Sequence, residues 1–306
     1  MNGIINVLKP PGMTSHDVVY VIRKITGGKK AGHTGTLDPG AAGVLPVCIG
    51  KATRIVEFLP DDKRYRAEIT FGRATSTQDA FGEVISERGA ENITAGKVQA
   101  CLPGFLGAIE QVPPMTSAVR HHGKRLYQLA RAGVEVERKP RTVHIYELQM
   151  VDFRHEPPGR PAAILDIRCS AGTYIRTLGH DLGQVLGCGA YMSFLLRTRA
   201  GLFTLEKSST LEELEHKRES GALADVITTA EKALAHMPGV CVAGPAVAAV
   251  SSGNRLILPV SAVDKEVSSH QVIRIQGPGG LMALATVNPV AGKPQYRMFQ
   301  PVKVLV

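Results

Sequence analysis

A chain of 306 residues, 44% of them hydrophobic, can bury one large core and a smaller second one. Its net charge of +9 and pI of about 9.4 favour an anionic partner, nucleic acid or an acidic membrane surface, without choosing between them. No run approaches the roughly 20 apolar residues of a membrane span, and no signal-peptide pattern opens the chain.

The five cysteines (Cys48, Cys101, Cys169, Cys188, Cys241) are odd in number, widely spaced and free of a C-x-x-C pair. They argue for a reducing cytoplasm and against a disulfide frame or structural zinc. Adjacent His121 and His122 have poor geometry for sharing a metal, so no metal site is expected.

Gly3–Leu8 reads as a short buried strand ended by Lys9-Pro10-Pro11-Gly12. Thr14 or Ser15 then caps a helix with Val18, Val19, Ile22 and Ile25 on one face, closed by Gly27-Gly28. The stretch from Gly32 to Pro46 follows, with four glycines, two prolines and only His33 and Asp38 able to titrate usefully. Such a loop holds Asp38 in one place. On the pattern alone Asp-Pro-Gly is simply a turn, with Asp38 bonded to its own backbone. A carboxylate fixed for chemistry is the other reading.

Val44–Ile49 reads as a strand and Lys51–Leu59 as a short helix. From Lys63 to Gly72 the chain alternates, placing Tyr65, Ala67, Ile69 and Phe71 on one face. Between Val112 and Tyr146, Arg120, Lys124, Arg125, Arg131, Arg138, Lys139 and Arg141 are opposed only by Glu135 and Glu137. Cations interleaved with His121, His122 and Tyr127 suit a surface that tracks phosphates. A solvated, partly helical face with Leu126, Leu129 and Ala130 turned inward explains the same residues.

Thr142–Phe153 and Ala162–Cys169 read as strands around a Pro/Gly-rich loop from Glu156 to Pro161. A glycine turn then leads into a helix capped near Thr173, with Ile175, Leu178, Leu182 and Leu186 inward and Arg176 off that face. A cation in the first helical turn is disfavoured by roughly 0.3–1 kcal/mol, so a carboxylate partner is expected; otherwise Arg176 is a surface arginine. Thr210 to Glu213 forms a capping box. From Val240 short apolar runs (Leu256–Val260, Val272–Ile275, Leu281–Val287, Gln295–Phe299) are punctuated by Gly, Pro and Asn, the pattern of a small all-β domain with a net charge of +4.

Several of these segments resemble, in order, the motifs of the TruB family, the tRNA pseudouridine-55 synthases. Gly-His-Thr-Gly-Thr-Leu-Asp-Pro followed by Gly-Val-Leu-Pro is similar to the family's active-site motif, whose aspartate is catalytic. Lys-Pro-x-Gly-x-Thr-Ser resembles its first motif, Lys-x-Tyr-x-Ala-x-x-x-Phe-Gly its second, and Gly-Thr-Tyr-Ile-Arg-Thr-Leu its third. Met192–Arg197 and Gly201-Leu202-Phe203 extend the match. Three departures stand out: Thr75-Ser76-Thr77-Gln78-Asp79 lacks the first carboxylate of the usual Thr-Asp-Thr-x-Asp, Thr116 stands where an aromatic is common, and Arg120 where lysine is usual.

The resemblance implies an α+β fold: a mixed, mainly antiparallel sheet flanked by helices (the pseudouridine synthase fold) and a small C-terminal PUA-like β domain. The expected divisions are a catalytic domain over residues 1–238, with an RNA-gripping insertion at about 112–146, and an RNA-binding domain over 239–306. Asp38, Tyr65 and Arg176 are the implied catalytic residues: Asp38 the carboxylate at the sugar, Arg176 its partner, Tyr65 the plate on the target base. His33 would fill the space left by a flipped nucleotide, Tyr174 would contact that nucleotide, and Leu195 would wall the base pocket. Lys9 supports the site, and Arg120, Lys124 and Arg141 grip the RNA. The implied substrate is the TΨC stem-loop of tRNA; a cytoplasmic monomer without cofactor, metal or membrane contact is expected. An RNA-binding or tRNA-folding protein with secondary catalysis is the alternative. A nucleoside hydrolase would need a second catalytic carboxylate beside Asp38.

Overall fold

The computed structural model describes residues 1–155 and 160–306. In chain order its first elements are β1 (Gly3–Lys9), α1 (Ser15–Ile25), β2 (Ala31–His33), β3 (Ala42–Ile49), β4 (Lys63–Phe71), β5 (Arg73–Thr75) and β6 (Val84–Glu87). Then come α2 (Ala95–Cys101), β7 (Gly107–Gln111), the two-residue strands β8 (Arg120–His121) and β9 (Lys124–Arg125), α3 (Leu126–Arg131), β10 (Arg141–Arg154) and β11 (Ala162–Cys169). The larger part of the chain closes with α4 (Ile175–Val185), β12 (Ala190–Ala200), β13 (Phe203–Thr204), α5 (Leu211–Glu219), β14 (Ile227–Thr228) and α6 (Ala230–Ala233). The Pro/Gly-rich loop expected before β11 lies largely on 156–159, outside the described residues.

One sheet runs β14-β1-β3-β12-β4-β11-β10-β7, with β2 on β3 and β13 on β12. Every pairing is antiparallel except β3 with β12. That mixed, mainly antiparallel sheet is the expected class. Alternation explains its inner face: Tyr65, Ala67, Ile69 and Phe71 of β4 are buried with Val18 and Ile22 of α1 and Ile175, Leu178 and Leu182 of α4. Helix α1 is opened by a capping box between Thr14 and Asp17. Helix α4 lies so close to β12 that a Cβ on Gly183 would sit 2.2 Å from the Ala190 nitrogen. Gly43 carries φ of +113° where β3 meets β12, and a Cβ there would strike the Arg197 carbonyl oxygen at 2.2 Å.

The chain ends in β15 (Gly239–Cys241), α7 (Pro245–Ser251), β16 (Leu256–Pro259), β17 (Val272–Gly277), β18 (Gly280–Pro289) and β19 (Tyr296–Val304), in the sheet order β15-β17-β18-β19-β16. Val250, Ile273, Ile275, Ala285 and Phe299 fill its own core. Its other contacts reach the larger sheet, because Leu284 and Leu305 pack with Ile4, Val44, Phe203 and Leu234.

Two expectations are corrected. Residues 51–59 form two 3₁₀ turns, Gly50–Arg54 and Val56–Phe58, rather than one helix. The β-branched run of Thr53, Ile55 and Val56 opposes longer helix. The C-terminal unit is not all β: Pro245 at a first helical position starts α7. Helix α4 is capped near Thr173 as expected, at the next residue, Tyr174, whose backbone is clamped by Gln111, while the Thr173 hydroxyl donates to Ser170 O at 2.9 Å.

Candidate active site

The loop between β2 and β3 is held by side chains from three distant elements. The Ser15 hydroxyl donates to Leu37 O at 2.9 Å and accepts from Leu37 N at 2.8 Å. Lys9 Nζ donates to Ala41 O at 2.7 Å, Pro10 O at 2.9 Å and Pro39 O at 3.2 Å. Arg197 donates to Val44 O at 2.7 Å, Gly35 O at 3.0 Å and Thr36 O at 3.3 Å. Within that frame Ala41 N donates to Asp38 O at 3.1 Å, so Asp-Pro-Gly is indeed a turn. The Asp38 carboxylate faces outward from it.

That carboxylate meets Arg176. Nε of Arg176 lies 3.0 Å from Asp38 Oδ2, and Nη1 lies 3.6 Å from Asp79 Oδ2. Nη1 also donates to Thr77 O at 3.1 Å and to the Thr116 hydroxyl. Arg176 is 5% exposed, so the surface reading fails: it leaves the apolar face of α4 but enters a polar pocket of the protein. Carboxylate partners compensate the cation at the helix start, as the dipole argument requires. Burial pushes the Asp38 carboxyl up from its ordinary value; Arg176 opposes this and Asp79 reinforces it.

Tyr65 lies on β4 opposite Arg197 of β12, with Leu195 opposite Ala67 on the same inward face. Tyr65 and Leu195 are 8% and 6% exposed. Burial raises the Tyr65 pKa, Arg197 lowers it, and the Asp38 charge raises it. The phenol is therefore protonated at neutral pH. His33 ends β2 with its ring in edge contact with His16 and its Nδ1 buried without a partner among the described residues. Burial, His16 and Arg197 lower its pKa to about 4, leaving a neutral ring. Tyr174 is half-buried at the head of α4.

Lys9 has the supporting position expected of it. Its side chain is fully buried under the loop, where it braces the Asp38 turn, and its pKa falls to about 8 through burial. Arg120 and Lys124 stand exposed on the β8–β9 hairpin, whose turn carries His122 and Gly123 at positive φ. Arg141 is exposed at the start of β10. The hairpin is tied toward the site: Leu126 N donates to Val119 O, Tyr127 N to Ser117 O at 3.0 Å, and the neighbouring Thr116 reaches Arg176.

Three residues at the site carry no expectation from the sequence. Asp79 joins Arg176, while Ser76, in the place of the lost carboxylate, turns its hydroxyl back to Glu83 N at 3.1 Å. The available signal was the second aspartate of that motif. Thr116 supplies a hydroxyl to Arg176, and Arg197 is 1% exposed with backbone carbonyls as its partners. Among the described residues no group of three His, Cys, Asp or Glu could hold a metal ion, and no helix is long and apolar enough to cross a membrane.

Comparison with known proteins gives the family of the chain. The family profile described as TruB family pseudouridylate synthase (N terminal domain) matches residues 23–175, and that of the tRNA pseudouridylate synthase B C-terminal domain matches 176–235. The chain is 49% identical over its whole length to tRNA pseudouridine synthase B of Pelotomaculum thermopropionicum, covering 97% of that protein. It is 58% identical over 83% of its length to the enzyme of the same name from Symbiobacterium thermophilum, covering 82% of it. Among solved structures it is similar to the protein of a Cbf5-Nop10-Gar1 complex, with a TM-score of 0.74 and 32% identity over 99% of this chain and 85% of that one. The loop that fixes Asp38, the guanidinium that meets it and the sheet that carries Tyr65 thus sit in a chain that belongs to the TruB family of pseudouridylate synthases.

Proposed function

We propose that this isomerase acts on tRNA at uridine 55, in the TΨC loop. The C1′–N1 bond of the nucleotide breaks and C1′–C5 forms. Nothing is oxidised and no group leaves, so the reaction calls for no cofactor. The observation that carries the reading is the pairing of Asp38 with the buried Arg176 at 3.0 Å. It supplies an oriented carboxylate, ionised against the pull of burial, for attack at C1′ or stabilisation of charge there.

Tyr65 stacks on the uracil and is the candidate to take the C5 proton; a phenol held protonated weights its role toward stacking. Leu195 walls the pocket. The target base must leave its stack, at a cost of a few kcal/mol. A neutral His33 ring suits the vacated space, since an uncharged plane can stack without bringing an ion among bases. Tyr174 borders the flipped nucleotide. Arg120, Lys124 and Arg141 contact the phosphates of the TΨC arm. The C-terminal unit, residues 239–306, is read as a second RNA contact on a cytoplasmic monomer. The test is to map pseudouridine in an unmodified tRNA transcript after incubation with the wild type and with Asp38→Asn. The reading expects one new pseudouridine at position 55 with the wild type and none with the variant, at similar tRNA affinity. No pseudouridine with the wild type, or a different position, would overturn it.

A further inference from the structure

The loop after β5 places a large apolar side chain beside the catalytic turn. Phe81 is 78% exposed, the most exposed of the large hydrophobic side chains. Yet its ring is not free: a Cβ built on Gly40 would lie 2.1 Å from Phe81 Cε2, so one edge of the ring rests on the backbone two residues beyond Asp38. Its main chain is fixed as well. Phe81 N donates to Asp79 Oδ1 at 3.0 Å, and Ala80 N donates to Met192 O at 3.1 Å on β12. The carboxylate that orients Phe81 is the same one that approaches Arg176.

A solitary exposed phenylalanine is unremarkable on a protein surface. This one is held on both its backbone and one ring edge, at the rim of a site whose substrate presents unstacked bases. Neither Asp38 nor Arg176 can offer such a base a flat apolar surface. Base–aromatic stacking needs only a fixed π-face open to solvent, and it tolerates any base.

We infer that Phe81 is a stacking plate for an unpaired nucleobase next to the target uridine, making it a substrate-positioning residue at the rim of the site. The inference rests on the RNA reading above and adds a contact to it.

The experiment uses the full chain and a TΨC stem-loop RNA. Binding is measured by fluorescence anisotropy, and single-turnover pseudouridine formation is measured in parallel. Phe81→Ala and Phe81→Leu are compared with Phe81→Trp, and each is tested on stem-loops carrying one abasic site at successive loop positions. Alanine and leucine should weaken RNA binding by roughly 5- to 150-fold, the range of one stacked base, with kcat falling less, and tryptophan should restore it. Leucine keeps cover over Gly40 without a π-face, so it separates stacking from loop support. One abasic position should weaken the wild type as much as Phe81→Leu does, with no further loss when the two are combined. Wild-type affinity in Phe81→Leu, or a loss confined to kcat, would overturn the inference and leave the catalytic reading standing. RNA binding without turnover by the wild type would overturn the catalytic reading and leave the Phe81 contact to be judged on binding alone.

Discussion

The turn that carries Asp38 and the insertion that carries Arg120 and Lys124 are built on opposite principles. Around Asp38, carbonyls are taken up by Ser15, Lys9 and Arg197, and a buried guanidinium holds the carboxylate. In the insertion, Leu126 is buried while Arg120, Lys124, Arg125, Arg131, Lys139 and Arg141 are exposed. Chemistry at C1′ tolerates little misplacement, and a shift of about 1 Å can cost on the order of 10²-fold in rate. Phosphate contact depends on charge near a surface and tolerates adjustment. On the proposed reading the two tasks are separated, and the two regions meet where Thr116 reaches Arg176.

That contrast can be broken from either side. The largest effect is expected for Arg176→Lys, because one ammonium cannot span Asp38, Thr77 O and Thr116 as the guanidinium does. Single-turnover pseudouridine formation should fall by about 10³-fold while RNA affinity changes little. A rate within tenfold of wild type would mean that the pairing is not catalytic. Tyr65→Phe comes next, with a loss of about 10²-fold in rate at unchanged affinity if the hydroxyl takes part in proton transfer. Wild-type rates for this variant would leave stacking as the whole role of Tyr65.

The insertion should behave in the reverse way. Arg120→Ala and Lys124→Ala should weaken tRNA binding, and each lost phosphate contact should reduce the log–log salt slope by roughly 0.7–0.9. An unchanged slope would place these cations away from phosphate. The C-terminal unit offers a less clean test by deletion, because Leu284 and Leu305 complete a core with Ile4 and Val44. Part of its positive charge is also engaged at home: Arg274 pairs with Asp264, and Lys303 with Glu57 at 2.9 Å.

The smallest predicted effect concerns stability. The Asp38 carboxyl has a folded pKa above its ordinary 3.8. The stability linked to it is present below that value and is lost as pH rises through the raised folded pKa, so the ionised form is a cost at pH 7. Asp38→Asn should leave Tm unchanged or slightly raised in a thermal melt at pH 7. A clear drop would show that the carboxylate holds the loop together.

The sequence made some of this legible and hid the rest for physical reasons. Alternation placed Tyr65 correctly on the inward face of β4, and the Thr14 and Thr210 caps were readable because capping is local. The Asp38 loop stood out by its glycines and prolines. Arg197 did not, because an arginine satisfied by carbonyls of β3 and the preceding loop leaves no charged partner in the sequence to signal its burial. The depth of Lys9 was hidden in the same way: its three acceptors are backbone oxygens brought together only by the fold. Asp79 was obscured because Ser76 broke the motif around it. The parallel pairing of β3 with β12 joins segments well separated in the chain, which no local pattern encodes.

The central claim is that Asp38 must be ionised in a site that resists its ionisation, with Arg176 shared between it and Asp79. The most direct measurement is the pH dependence of the single-turnover rate at saturating RNA, for the wild type and for Asp79→Asn. The wild-type rate should fall on the acid side with a midpoint above 3.8, since burial and the Asp79 charge both raise the Asp38 pKa. Removing the Asp79 charge should shift that acid limb to lower pH. An acid limb that stays in place in the variant, or moves upward, would contradict the account.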